Sequence, residues 1–176
     1  ERSGQAEASM EESLPITNQI TTAVVTRHHP YDVPGFQTVF RSIPEIDFCP
    51  QHLEDFVSAA GEVRRHYEVV VFYDLHQATP GEEQDSWEKS TKEVLEQLGE
   101  TQQGIFLLHH AILAFPEWQV WADVCRVPDR RSTCHPTQTI RTEIADPEHP
   151  ITRGLTAWEM VDETYLMRSP GEDSHA

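Results

Sequence analysis

Gly104-Ile105-Phe106-Leu107-Leu108-His109-His110-Ala111-Ile112-Leu113-Ala114-Phe115-Pro116-Glu117-Trp118 changes character twice within fifteen residues. A glycine opens a short apolar run, Ile105 to Leu108, and two adjacent histidines close it. Pro116 then starts a second pattern in which Trp118, Trp121, Ala122 and Cys125 recur at helical spacing. The reading is a buried parallel strand that delivers polar groups at its C-terminal end, followed by a helix. In open α/β sheets that end of the strands is where ligands bind. The plainer alternative is one histidine hydrogen-bonded in the core and the other lying on the surface.

Working outward, the same grammar repeats. Ile20 to Thr26 is a β-branched run and a first strand, ending in Arg27-His28-His29. Pro34 opens a short helix with Phe36, Val39 and Phe40, and Ile46 to Cys49 reads as a short edge strand. The helical period from His52 to about Tyr67 predicts one helix, weakened at Gly61. Val69 to Tyr73 is a continuous apolar strand ending in Asp74-Leu75-His76, as a strand covered on both faces should be. The loop from Gln77 to Glu83 carries the turn signal Pro80-Gly81. Trp87, Thr91, Val94, Leu95 and Leu98 define an amphipathic helix that Gly99 ends. A last strand is expected over Thr139 to Ala145, and Asp146 to Leu155 is a turn-rich loop. Strand alternates with helix throughout, so the fold class is α/β with a mostly parallel, doubly wound sheet. Residues 1–15 are polar, acidic and aperiodic and read as a disordered tail; residues 16–176 form one α/β domain.

Composition removes several classes. The 176 residues carry 13 basic and 30 acidic side chains, a net charge of −17, which disfavours nucleic acid and anionic membranes as partners. No apolar run approaches a membrane span, and nothing resembles a secretory signal. Three cysteines without CxxC spacing argue against a disulfide framework and for a reducing, cytoplasmic setting. No Gly-x-Ser-x-Gly or Gly-x-Cys-x-Gly elbow occurs; where this architecture can carry a nucleophile stands His110, so acyl transfer through serine or cysteine is disfavoured.

What remains is a histidine chemistry. Three parallel strand ends, at His28-His29, at Asp74 to His76 and at His109-His110, should meet at one edge of the sheet. Histidine there can act as acid or base near neutral pH, bind a metal, or hydrogen-bond a polyol. Two prolines hold the backbone around His149, and Asp162, Glu163 and Tyr165 bring two carboxylates and a phenol within four positions.

The strand end Thr26-Arg27-His28-His29, the stretch LLHHAILAFPEW, the motif DPEHPITRGL and the motif WEMVDETYLM together resemble the ThuA-like, trehalose-utilisation family over about residues 20–173. The resemblance implies a flavodoxin-like, three-layer α/β/α domain of the class I glutamine-amidotransferase-like superfamily without its glutaminase triad. It also implies carbohydrate metabolism, on trehalose-like disaccharides or their 3-keto derivatives. Family members continue past the Asp-Glu-Thr-Tyr motif into a further strand. Here Arg168 to Ala176 is polar coil, so a shortened domain lacking its C-terminal strand is expected, with self-association covering the exposed edge. The expected catalytic residues are His28, His109, His110 and His149, in a cleft where His28, His109 and His110 approach one another below His149. His29, Glu117, Asp162, Glu163 and Tyr165 are expected to bind substrate. A small-molecule carbohydrate is the expected partner and no cofactor is expected, although a divalent metal on the same histidines stays open. The competing readings are a non-catalytic sugar-binding or regulatory domain and a metal-dependent hydrolase.

Overall fold

A computed structural model describes residues 18–81 and 87–171. The tail read over residues 1–15 and the last five residues lie outside the described residues. Four strands, β1 (Ile20–Arg27), β2 (Ile46–His52), β3 (Val69–Asp74) and β4 (Gly104–Leu107), form one sheet in the order β2-β1-β3-β4, and every pairing is parallel. This is the flavodoxin-like order, in which the chain reverses direction across the sheet between β1 and β3. The runs Ile20 to Thr26, Val69 to Tyr73 and Ile105 to Leu108 form strands and are parallel; a central place for all three was expected, but among the described residues β4 pairs with β3 alone and lies at an edge. The other edge, β2, contains Pro50, which an edge strand tolerates because one side of its ladder has no partner.

Both faces are covered by helix, which is why β1 and β3 are apolar on consecutive residues. On one face Ala23, Val25, Val70 and Phe72 pack under α2 (Leu53–Ser58), α4 (Trp87–Glu96) and α5 (Gln119–Cys125) through Phe56, Leu95 and Trp121. On the other, Val24 and Val71 meet Phe40 of α1 (Val33–Arg41), with Phe36 beside it. Phe72, Phe115 and Trp121 form an edge-to-face aromatic centre with ring separations of 5.2 Å, each side chain contributing about 1.5–3 kcal/mol of burial. The Trp121 indole also donates to the Ala111 carbonyl at 2.9 Å. That bond ties the segment after β4 to the core.

The structure corrects four expectations. The helix expected from His52 to Tyr67 is two short ones, α2 and α3 (Gly61–Arg64), because Ala59 and Ala60 are extended and break the hydrogen-bond ladder. His109 and His110 do not end the strand; they open a 3₁₀ turn, His109–Leu113, and α5 begins only at Gln119. The last predicted strand is longer and earlier, β5 (Thr133–Thr142). The stretch Trp158–Leu166, read as a motif without secondary structure, is β6, and it pairs antiparallel with β5 outside the main sheet. Its apolar residues Trp158, Met160, Val161 and Leu166 are exposed. Such a strand lacks the buried alternation that sequence reading depends on.

Candidate functional site

Two backbone reversals build the site. By strand alternation His28 should follow Val24 and Thr26 onto the α1 face of the sheet, and His29 should follow Val25 and Arg27 onto the other. His28 instead has φ +54°, in the left-handed region, and the alternation is inverted there. His28 turns back to pack on His76, with ring centroids 4.7 Å apart, beside Arg27 and Glu54. His29 crosses to Tyr73 at the end of β3, with ring centroids 5.0 Å apart. His109 has the same left-handed backbone, φ +57°, and lies 3.7 Å from His110, 5.0 Å from His29 and 5.8 Å from Tyr73, measured between ring centroids. The cluster therefore sits over the C-terminal ends of β1 and β3, the switch point of the sheet.

A chain of hydrogen bonds runs through it. His29 Nδ1 is 2.9 Å from the Pro30 carbonyl and 3.0 Å from the Tyr73 hydroxyl; His29 Nε2 is 2.7 Å from His110 Nδ1. His110 Nε2 is 2.8 Å from the Tyr165 hydroxyl and 2.9 Å from Glu163 Oε1, and Tyr165 donates to the same oxygen at 2.8 Å. The donor assignment follows from the ends of the chain. A carbonyl only accepts, so His29 carries its proton on Nδ1, and a neutral His29 then accepts at Nε2 from His110 Nδ1–H. This leaves His110 Nε2 as the position where a proton comes and goes, shared with Glu163 and Tyr165. With Tyr165 donating to Glu163, the Nε2 contact to that carboxylate is made by the imidazolium; with Nε2 empty, the phenol can turn to it.

Electrostatics match that division. The Tyr165 hydroxyl, and after it His110, hold the Glu163 carboxyl below the usual carboxylate range. Burial and the Glu163 hydrogen bond push the Tyr165 phenol up, so it stays protonated as a donor. Burial and the neighbouring imidazoles of His110 and His29 push His109 down, against the pull of Glu163 and Asp162, so His109 is neutral near pH 7. His29, His110, Glu163 and Tyr165 line an open cleft of about 630 Å³ together with Leu113, Pro116 and Arg130, a volume in the range of small-molecule sites. One ligand atom each from His29, His109 and His110 lie within 4.8 Å of one another, the group best placed to hold a metal ion among the described residues.

The family model described as ThuA, trehalose utilisation, matches residues 13–175, nearly the whole chain and every element around the cleft. The chain belongs to the ThuA family. No curated protein and no solved structure matches it.

In this ThuA chain the residues singled out from sequence are divided by the fold. His29, His109, His110, Glu163 and Tyr165 meet; the expected approach of His28 to His109 and His110 does not occur, because the turn at His28 sends its ring to His76 on the opposite side. His149 is exposed on the loop between β5 and β6, accepting the Ile151 N–H at 3.2 Å, and is not among the cleft-lining residues. Asp162 caps the Glu163 N–H at 2.8 Å and acts on His109 only through its charge; one residue from Glu163 on a strand, it faces the other way. Glu117 lines an adjoining cleft.

Three residues of this candidate site were not read from sequence. Tyr73 holds His29, and its place on the α1 face follows from strand alternation once β3 is placed. Cys134 lies opposite Tyr165 across the hairpin with Sγ 3.8 Å from Glu163. Arg130, 7% exposed, donates to five backbone carbonyls, those of Ile112, Ala114, Phe115, Pro116 and Trp118. It thereby locks the segment that follows the histidines. An arginine recognised by main-chain carbonyls leaves no partner motif to find.

Proposed function

We propose that this protein acts on a trehalose-like disaccharide or its 3-keto derivative through the cleft centred on His110. The observation that carries the reading is the chain His29–His110–Glu163/Tyr165, which presents one exchangeable proton position on a cleft at the switch point of the sheet. A 3-keto sugar has acidified C–H groups beside its carbonyl. His110 Nε2 is the base for such a proton, and Glu163 stabilises the imidazolium that results. Tyr165 donates to the Glu163 carboxylate while His110 is the imidazolium, and turns to Nε2 when that nitrogen is empty. No cysteine takes part. Family membership supports the carbohydrate setting, and the three free cysteines support a cytoplasmic one. The same scaffold without an elbow nucleophile supports kinship with the class I glutamine-amidotransferase-like proteins but no glutaminase activity.

Deuterium exchange tests the reading. In heavy water the protein should exchange the C–H beside the keto group of 3-ketotrehalose, followed by NMR, and His110→Ala should lower the rate by about 10²-fold or more, the usual worth of a positioned base. Saturable binding without exchange would make the domain a binding module. Failure to bind either trehalose or its keto form would refute the proposal.

A metal-dependent hydrolase stands second, favoured by the three clustered histidines. Their type and number fit a divalent cation, but His29 Nε2 and His110 Nδ1, at 2.7 Å, are closer than the about 3.3 Å that separates two nitrogens on tetrahedral zinc. The pair is spaced for a hydrogen bond, so a cation would need the rings to part. Stoichiometric zinc after dialysis, lost in His29→Ala, would promote this reading over the first.

A further inference from the structure

A second cleft of about 400 Å³ adjoins the histidine cleft, and Pro116, Arg130 and Arg131 line both. The two are therefore neighbouring compartments of one groove, separated by the ridge those residues make. The far compartment is polar. Glu117 stands in it exposed, with no hydrogen bond or ion pair to any described residue. Its charge is felt by Arg130 and Arg131. Asp129, on the same wall, is by contrast already committed to Arg131 at 2.7 Å and to Arg168 at 3.0 Å. Among the described residues, the carboxylate of the far compartment without an ion pair or hydrogen bond is Glu117.

One buried side chain ties down the segment between the two compartments. Arg130 bonds the carbonyls of Ile112, Ala114, Phe115, Pro116 and Trp118, and the segment so clamped runs from the end of the His109–Leu113 turn to the residue after Glu117. Glu117 lies inside that clamped segment, and His110 lies two residues before it on the same 3₁₀ turn as Ile112.

Resting on the carbohydrate reading above, we infer that the groove holds two sugar rings at once. The ring that reacts lies at His110, and the second lies in the far compartment with its hydroxyls donating to Glu117. An ionised carboxylate is acceptor-only and takes a pair of vicinal hydroxyl donors, a pattern every pyranose offers. Arg130 is the positioning residue that sets the distance between the rings. Glu117 is a specificity determinant: it reads whether a second ring is present.

Calorimetric titration with trehalose and 3-ketotrehalose against glucose and 3-ketoglucose tests this. Wild type should bind a disaccharide about tenfold or more tighter than the matching monosaccharide, the worth of one or two charge-assisted hydrogen bonds. Glu117→Ala and Glu117→Gln, both at an exposed position, should erase that preference while leaving monosaccharide affinity unchanged. His110→Ala should weaken mono- and disaccharide alike. A disaccharide preference that survives in both Glu117 variants overturns the two-ring inference and leaves the His110 reading standing. Equal loss of mono- and disaccharide binding in the Glu117 variants overturns it too, since Glu117 would then serve the first ring. If wild type binds none of the four sugars, the carbohydrate reading falls and the inference falls with it.

Discussion

Arg130→Ala should be the most destabilising single change near the cleft, and its size can be worked from the structure. Arg130 is 7% exposed and meets no carboxylate in an ion pair among the described residues; backbone carbonyls take its hydrogen bonds, and Glu117 acts on it only through its charge. Two of the five contacts are strong, to Ala114 and, at 2.7 Å, to Phe115; those to Ile112, Trp118 and Pro116 are 3.3–3.4 Å and weaker. Truncation leaves at least the Ala114 and Phe115 carbonyls buried without a partner. At about 1–3 kcal/mol for each orphaned group, and with relief from no longer burying a cation, the net cost comes to about 3 kcal/mol. Domain stability is only about 5–15 kcal/mol, so this is a large share. Arg130→Lys keeps the charge but supplies three donors where five acceptors wait, and should cost roughly half as much. Urea unfolding followed by tryptophan fluorescence measures both, since Trp118 and Trp121 flank the clamp. The midpoint should fall in the order wild type, Lys, Ala, at an unchanged slope. A loss under about 1 kcal/mol in the alanine variant would show that water satisfies the freed carbonyls, and the rigid-spacer argument would fail with it.

Two further outcomes follow from charge and burial. Burial pushes the Asp74 carboxyl up to about 7, with the backbone N–H groups of His76 and Leu75 and the Arg27 charge pulling weakly the other way; neither oxygen has a hydrogen-bond partner among the described residues. Burial, with His28 and Arg27 adding to it, pushes His76 down to about 4. A raised carboxyl means the folded state holds a proton the unfolded chain gives up, so the Asp74 contribution to stability is present below pH 4 and is lost as pH rises to 7. His76 works in the opposite sense: its contribution is present above pH 6.5 and is lost as pH falls towards 4. The two offset in wild type between pH 4 and 6.5. Asp74→Asn should therefore stabilise by roughly 2–4 kcal/mol at pH 8 and unmask a stability that rises with pH from 4 to 6.5; chemical denaturation across that range would refute the argument if the variant's profile matched wild type. Iodoacetamide at pH 8 should alkylate the exposed Cys49 and Cys134 and spare Cys125, whose thiol burial pushes up to about 11; peptide mass mapping that finds Cys125 modified first would contradict it.

Sequence alone determined the parallel sheet of this ThuA protein. Val69 to Tyr73 and Ile20 to Thr26 are apolar on consecutive residues, a pattern only a strand covered on both faces sustains. The segments between them are too long and too helical for hairpins. It also brought the histidine pairs together, because parallel strands must end together: histidines that follow β1 and β4 arrive at one edge whatever the loops do. Sequence could not decide which histidine of a pair enters the cleft. His28 and His29 are adjacent and chemically identical, and the choice hangs on a single left-handed φ at His28, where the ring packs on His76. Nor could it show that Trp158–Leu166 is a strand whose Glu163 and Tyr165 close over His110, since that pairing joins residues 55 positions apart through a hairpin too exposed to carry an apolar period. The Arg130 clamp was equally hidden: its partners are carbonyl oxygens, which every residue has, and only the path of the folded backbone brings five of them to one guanidinium.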